Sequence, residues 1–359
     1  MDDTQRTVAV VGAGPIGLAT AANLVERGLR PLIFEAGPRI ASSVRDWGHV
    51  RLFTPWSHLI DPPSRRLLEA RTDWRAPDPD AVPLGRELVE QFLEPLAALD
   101  GIAERIRLNH RVVAVAKEGH DRMKNGMREE ALFQIVAETP DGSRRFRVKT
   151  VIDTSGTWTT PNPLGAGGVM ADGEAEHQER IRYGIPDVLG SERDRYAGRR
   201  TLVVGSGHSA IHTVLSLVEL AEREPATRVA WAVRKTDPRQ LWGGGEADEI
   251  AERGRLGTRV AEAVQRGAVT LLTGLSIAAV RPHGADEDGT DDGAGVEVVD
   301  VDGTAQVVVD ELVVAAGSRP NLEMLRELRL ELDLATESTQ QLGPESSEGR
   351  KPRAPYPCL

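Results

Sequence analysis

Three glycines, Gly12, Gly14 and Gly17, stand between an apolar run, Thr7–Val11, and a stretch of helix-forming residues. A strand, a glycine turn and a helix in this order make a cradle for the diphosphate of a dinucleotide. The first glycine permits the turn, the second admits the ligand close to the backbone, and the third lets helix pack on strand. Ala13, Pro15 and Ile16 complete the loop, whose amides and helix N-terminus would face the phosphates. The next apolar run, Pro31–Phe34, ends at Glu35, eighteen positions after Gly17, with Ala36 following. A carboxylate there accepts hydrogen bonds from a ribose 2′-hydroxyl and repels a 2′-phosphate, which suits FAD or NAD rather than NADP.

A second constellation has the same grammar and the opposite charge. Gly205, Gly207 and Ala210 follow the run Thr201–Val204, with Ser206, His208 and Ser209 between and beside them. The following run, Arg228–Val233, ends in Arg234 and Lys235 where the first half has Glu35. Two cations at that place neutralise a 2′-phosphate, and arginine grips it with two donors. This site is therefore expected to take NADPH, the alternative being that the pair are ordinary solvated strand-end cations. His208 and His212 share a helix face, but no Glu stands in an HExxH place and no cysteine is near, so no metal site is expected. Ser209 lacks the GxSxG context of a nucleophile elbow and is assigned to nucleotide contact. No side chain stands out as a catalytic acid or base.

The elements that must position these turns repeat along the chain. Each half begins strand–glycine turn–helix–strand, and each later shows a hairpin: Leu132–Ala137 with Arg144–Val148 around Pro140-Asp141-Gly142, and Val296–Val301 with Thr304–Val309 around Asp302-Gly303. Each hairpin leads to a run ending in glycine, Val151–Gly156 and Leu312–Gly317. The expected fold class is α/β, with two Rossmann-like dinucleotide-binding domains carrying β-hairpin excursions. The expected boundaries are 1–157 for the first part of an FAD domain, 158–311 for an inserted NADPH domain, 312–334 for the return, and 335–359 for a disordered tail. Ser42–Pro83 reads as loop, Arg86–Leu99 as an amphipathic helix bent near Pro95, and the acidic Gly284–Gly295 as a solvated hairpin loop.

Composition bounds the partners. A net charge of −11 disfavours nucleic acid or an anionic membrane as the main partner. The single cysteine, Cys358, rules out an internal disulfide and a CxxC redox pair, and fits a cytoplasmic location. The apolar N-terminal stretch is punctuated by glycines and preceded by acidic residues, so it reads as a buried strand, turn and helix rather than a targeting signal.

The segments VAVVGAGPIGLATAANLVERG with Glu35, VIDTSGTWTTPNP (Val151–Pro163) and LVVAAGSRPN (Leu312–Asn321) resemble the two-dinucleotide-binding flavoproteins. That group includes flavin-containing monooxygenases and thioredoxin-reductase-like proteins, and the resemblance covers roughly residues 5–325. It implies FAD on the first unit and NADPH on the second, with Val113, Thr154, Gly156 and Gly317 as further cofactor contacts. It places Trp47, His49, Arg51 and Trp56, in the stretch Arg45–Trp56, where relatives line the flavin. It implies hydride transfer from NADPH to FAD, then reoxidation by O2 with either oxygenation of a small-molecule substrate or release of peroxide. Three departures stand out: no complete FxGxxxH signature between Thr160 and Tyr196, no CxxC, and no further strands with a Gly-Asp motif after the second crossing segment. The last leaves a C-terminally shortened relative as an expectation, and with it a non-catalytic nucleotide-binding protein, or an NADPH oxidase without organic substrate, as alternatives.

Overall fold

The computed structural model describes residues 6–241, 251–283 and 295–340. The chain folds into two compact units, one of residues 1–159 with 319–359 and one of residues 160–318.

The first unit is built on a four-stranded parallel sheet. β1 (Thr7–Val11) pairs with β2 (Arg30–Phe34) on one side and β7 (Thr150–Asp153) on the other, and β2 carries the short β3 (Ile106–Arg107), giving the order β3-β2-β1-β7. Ala9, Val10 and Ile33 are fully buried, as near-continuous apolar runs demand of a parallel sheet covered on both faces. The helix Pro15–Glu26 covers one face. Proline opens it, and it closes at Gly28 (φ +70°), where Leu29 N–H reaches Leu24 O and Gly28 N–H reaches Val25 O in a Schellman turn. A three-stranded antiparallel sheet follows: β4 (Arg111–Lys117), β5 (Phe133–Thr139) and β6 (Gly142–Val148). The Pro140-Asp141 turn closes the expected hairpin with Thr139 opposite Gly142. β4 was not expected.

Ser42–Pro83 is not all loop: it contains helices Ser42–Asp46, Trp56–Leu59 and Pro62–Arg71. The last is started by Asp61, whose carboxylate accepts from Ser64 N–H (3.1 Å), with Pro62 and Pro63 in the first turn, where a missing amide hydrogen costs nothing. In the Arg86–Leu99 region the expected bend takes the form of a π-helical turn, Val89–Leu93, between α-helical turns Gly85–Leu88 and Glu94–Ala97, immediately before Pro95.

The second unit repeats the plan with one strand more. β8 (Ile181–Tyr183), β9 (Arg200–Val204), β10 (Arg228–Val233), β11 (Thr270–Thr273) and β15 (Glu311–Val314) form a parallel sheet in the order β11-β10-β9-β15-β8. β12 (Ile277–Pro282), β13 (Val296–Asp300) and β14 (Ala305–Val309) form the antiparallel excursion. The last parallel strand therefore belongs to the second unit: β15 pairs with β9 and β8, and the chain returns to the first unit at 319 rather than 312. Residues 335–340 are ordered as well. Asp333 accepts from Ala335 N–H (3.1 Å) and Thr336 N–H (2.8 Å), and Leu332 bridges Thr339. The expected tail from 341 and nearly all of the Gly284–Gly295 loop lie outside the described residues. Among the described residues no helix is long and apolar enough to cross a membrane.

One ion pair ties the start of β9 to the end of β14. Asp310 accepts from Arg200 N–H (2.7 Å) and from Arg200 Nη2 (2.7 Å). Burial opposes ionisation of this carboxyl, but the Arg200 donors outweigh it and hold its pKa below the ordinary aspartate value. A depressed folded-state pKa adds stability above the unfolded-state pKa and loses it as pH falls through the folded value. Asp310→Asn is therefore expected to cost about 1–2 kcal/mol at pH 7, allowing for the half-exposed arginine, and the gap to wild type should shrink below about pH 4. Urea unfolding at pH 7 and pH 3 checks this; a gap that does not change with pH would contradict it.

Candidate functional site

The first glycine turn leaves β1 at Gly12 with φ +101°, and a Cβ there would lie 2.7 Å from Thr154 O. A Cβ on Gly17 would lie 2.0 Å from Gly12 O, so helix and turn touch backbone to backbone. Gly14 differs: a Cβ there would meet nothing within 4 Å. Its open face borders a cleft of about 470 Å³ lined by Gly12, Gly14, Pro15, Ile16, Glu35 and Ala36, among others. Gly14 is the helix N-cap, and no side chain caps it, so the positive end of the helix is available to an anion. Ile16 stands at the mouth, 56% exposed.

Glu35 is buried and faces this turn. Ala13 N–H donates to its Oε2 (3.0 Å) and Gly37 N–H to its Oε1 (2.8 Å). Each oxygen keeps lone-pair capacity toward the cleft, so the carboxylate braces the loop and can still accept from a ribose hydroxyl. Thr154 also braces the turn. Its hydroxyl donates to Val11 O (2.7 Å), which leaves its oxygen lone pairs for a ligand. Gly156 (φ +72°) lines the cleft, as does Trp47, packed against Gly85.

Four expected contacts stand outside the cleft lining. Arg51 is exposed, with its Nη1 donating to Val82 O (2.7 Å), and it is not in the cleft lining. Val113 is exposed at a β-bulge, where the β4–β5 register shifts between Val112 and Ala114, and its neighbour Val112 lines the cleft instead. Trp56 is buried in the apolar core of this unit. His49 has a buried Nε2 without a hydrogen-bond partner and is likewise outside the lining.

Among the lining residues that sequence reasoning missed are Asp46, Trp158, Arg111 and Asn321. Trp158 Nε1–H donates to Asp46 Oδ2 (3.0 Å), a pairing across more than a hundred positions that no local pattern announces. Arg111 opens β4, so recognising that strand would have placed it.

In the second unit Gly205 has φ +131°, and a Cβ there would sit 2.2 Å from Ala315 O. Gly207 meets nothing within 4 Å and caps the helix His208–Arg223 without a side-chain hydrogen bond. Ser206 is exposed at the turn, His208 and Ser209 are half-buried in the first helical turn, and Ala210 is fully buried where a third glycine would pack. The turn is pinned from β10: Trp231 Nε1–H donates to Gly205 O (2.7 Å). Gly317 (φ +86°) follows β15, and Asn162 clasps it, donating from its backbone N–H to Gly317 O (2.9 Å) and from Nδ2 to Ala316 O (3.0 Å). Arg234 and Lys235 are exposed directly after β10, and Arg234 makes no hydrogen bond or ion pair among the described residues. In each unit, then, a bare glycine fronts a helix N-terminus and the next strand ends in a charge, acidic in one and basic in the other.

Residues 10–70 match the model of the NAD(P)-binding Rossmann-like domain. A protein of Cupriavidus necator named ferredoxin–NADP reductase 1 is 26% identical over 317 residues, 88% of this chain and 71% of that one. The solved bacillithiol disulfide reductase of Bacillus cereus superposes with a TM-score of 0.65 at 19% identity, covering 92% of this chain and 84% of that one. The FAD-bound cadaverine monooxygenase of desferrioxamine biosynthesis from Erwinia amylovora gives 0.63 at 15% identity, covering 92% and 82%. The chain shares the α/β fold of these two solved proteins, and its residues 10–70 are similar to the NAD(P)-binding Rossmann-like domain.

Proposed function

We propose that the protein is an NADPH-dependent flavin oxidoreductase holding FAD in the first-unit cleft and NADPH at the second glycine turn. The observation that carries this reading is the pairing of two bare glycine–helix cradles with opposite charges at the following strand ends. Gly12, Gly14 and Gly17 would hold the FAD diphosphate, and Glu35 its ribose. Gly205 and Gly207 would hold the NADPH diphosphate, and Arg234 with Lys235 its 2′-phosphate. The bound flavin supplies the hydride acceptor that no side chain here offers. The protein's share is binding, orientation and the charges around each nucleotide.

For the oxidant, O2 is the reading we favour, with a small-molecule substrate or peroxide as the outcome. Structural likeness to the cadaverine monooxygenase supports it. A second reading, electron delivery to a ferredoxin-type protein, is favoured by the named function of the Cupriavidus necator relative. The visible spectrum of the purified protein, with FAD added, tests the core claim. Flavin bands that bleach on anaerobic NADPH are expected, and a protein that stays colourless would sink it in favour of a non-catalytic nucleotide binder. Admitting either air or an oxidised ferredoxin to the bleached protein then separates the two oxidants by which one restores the bands.

A further inference from the structure

We infer that Arg111 is a ligand for the adenosine end of the nucleotide in the first cleft, an inference that rests on the FAD reading above. The chain runs from β3 into β4 alongside the segment that carries the ribose carboxylate. Asn109 N–H donates to Gly37 O (2.9 Å) and His110 N–H to Glu35 O (2.8 Å). This antiparallel clasp sets residue 111 beside Glu35, and His110 and Arg111 line the same cleft as Glu35. Since Glu35 marks the ribose, Arg111 stands at the adenosine end.

The side chain is uncommitted. Arg111 lies directly across the β4–β5 ladder from Glu138, where an exposed arginine would ordinarily find an ion pair. Its side chain makes none with Glu138, and no hydrogen bond or ion pair with any other described residue. Nearby arginines are occupied: Arg107 Nη1 donates to Glu104 O (2.9 Å), and Arg147 holds Glu118 (2.7 Å). His110, by contrast, is fixed by its Nδ1 against Leu108 O (2.8 Å) and by aromatic neighbours Phe34 and Phe146, so it forms a wall rather than a free donor. A planar cation at a cleft wall recognises an adenine by stacking on its face, and the guanidinium is better suited to this than an ammonium.

The test is a titration of apo-protein with FAD and, separately, with FMN, which lacks the adenosine half, followed by flavin fluorescence. Wild type must bind FAD; if it does not, the FAD reading itself fails. Given that, Arg111→Ala is expected to weaken FAD about tenfold, roughly 1.4 kcal/mol, and to leave the FMN dissociation constant unchanged. Arg111→Lys should remain weakened, because it keeps the charge and loses the plane. A melting temperature equal to wild type is expected for both variants, since the side chain holds nothing in the fold. Unchanged FAD binding in Arg111→Ala, equal losses for FAD and FMN, or full rescue by lysine would each overturn the assignment to the adenosine end.

Discussion

Gly14→Val is expected to fold with a normal melting transition and to lose FAD, its dissociation constant rising by about a hundredfold or more. The open space around Gly14 makes this a clean experiment. A side chain there strikes no protein atom within 4 Å at its Cβ, so it occupies only the volume a diphosphate would use. The neighbouring glycines give the contrast. A Cβ on Gly17 would be 2.0 Å from Gly12 O, and a side chain on Gly12 would also have to hold φ +101°. Gly17→Ala should therefore destabilise the first unit by about 3 kcal/mol or more, and its loss of FAD would say nothing specific about the cradle. Thermal melts and flavin content of the two variants separate these cases. A yellow, fully loaded Gly14→Val protein would refute the placement of the diphosphate.

Arg234→Ala should discriminate between nicotinamide nucleotides rather than abolish them. Losing one charge-assisted fork on a 2′-phosphate is expected to cost about 2–3 kcal/mol, or roughly 30- to 150-fold in NADPH affinity. NADH carries no such phosphate, and its affinity should change less than about twofold. Lys235 remains in the variant, so the double replacement with Lys235→Ala should widen the gap further. Raising salt should erode the wild-type preference, because both cations are exposed. Equal losses for NADPH and NADH would remove the 2′-phosphate from this strand end and leave Arg234 a solvated surface cation.

Where chemistry and local structure coincide, the sequence is highly readable. β1 and β10 occupy the expected Thr7–Val11 and Arg228–Val233, since an apolar run that stops at glycine or at a charge is both a buried strand and its terminus. Long-range hydrogen bonding is invisible by comparison. Glu35 was legible as a carboxylate at the end of β2, but its grip on Ala13 and Gly37 depends on a turn that has already folded. The helices within Ser42–Pro83 were hidden by proline and arginine, although Asp61-Pro62-Pro63 is itself a helix start. β15 was assigned to the wrong unit because its sequence mirrors that of β7, which ends the first sheet, while its pairing is decided by β8 and β9.

The first unit is interrupted, and this has a consequence for its birth on the ribosome. Asn321 and Met324 line the first cleft, and the buried guanidinium of Arg128 donates to Glu327 O (2.7 Å). All three closing residues are translated after the whole of residues 160–318. At about 5–20 residues per second, the nascent N-terminal portion waits on the order of ten seconds or more for them. The unit that starts first is thus finished last: the nested unit can fold while the cleft beside Gly14 still lacks part of its wall.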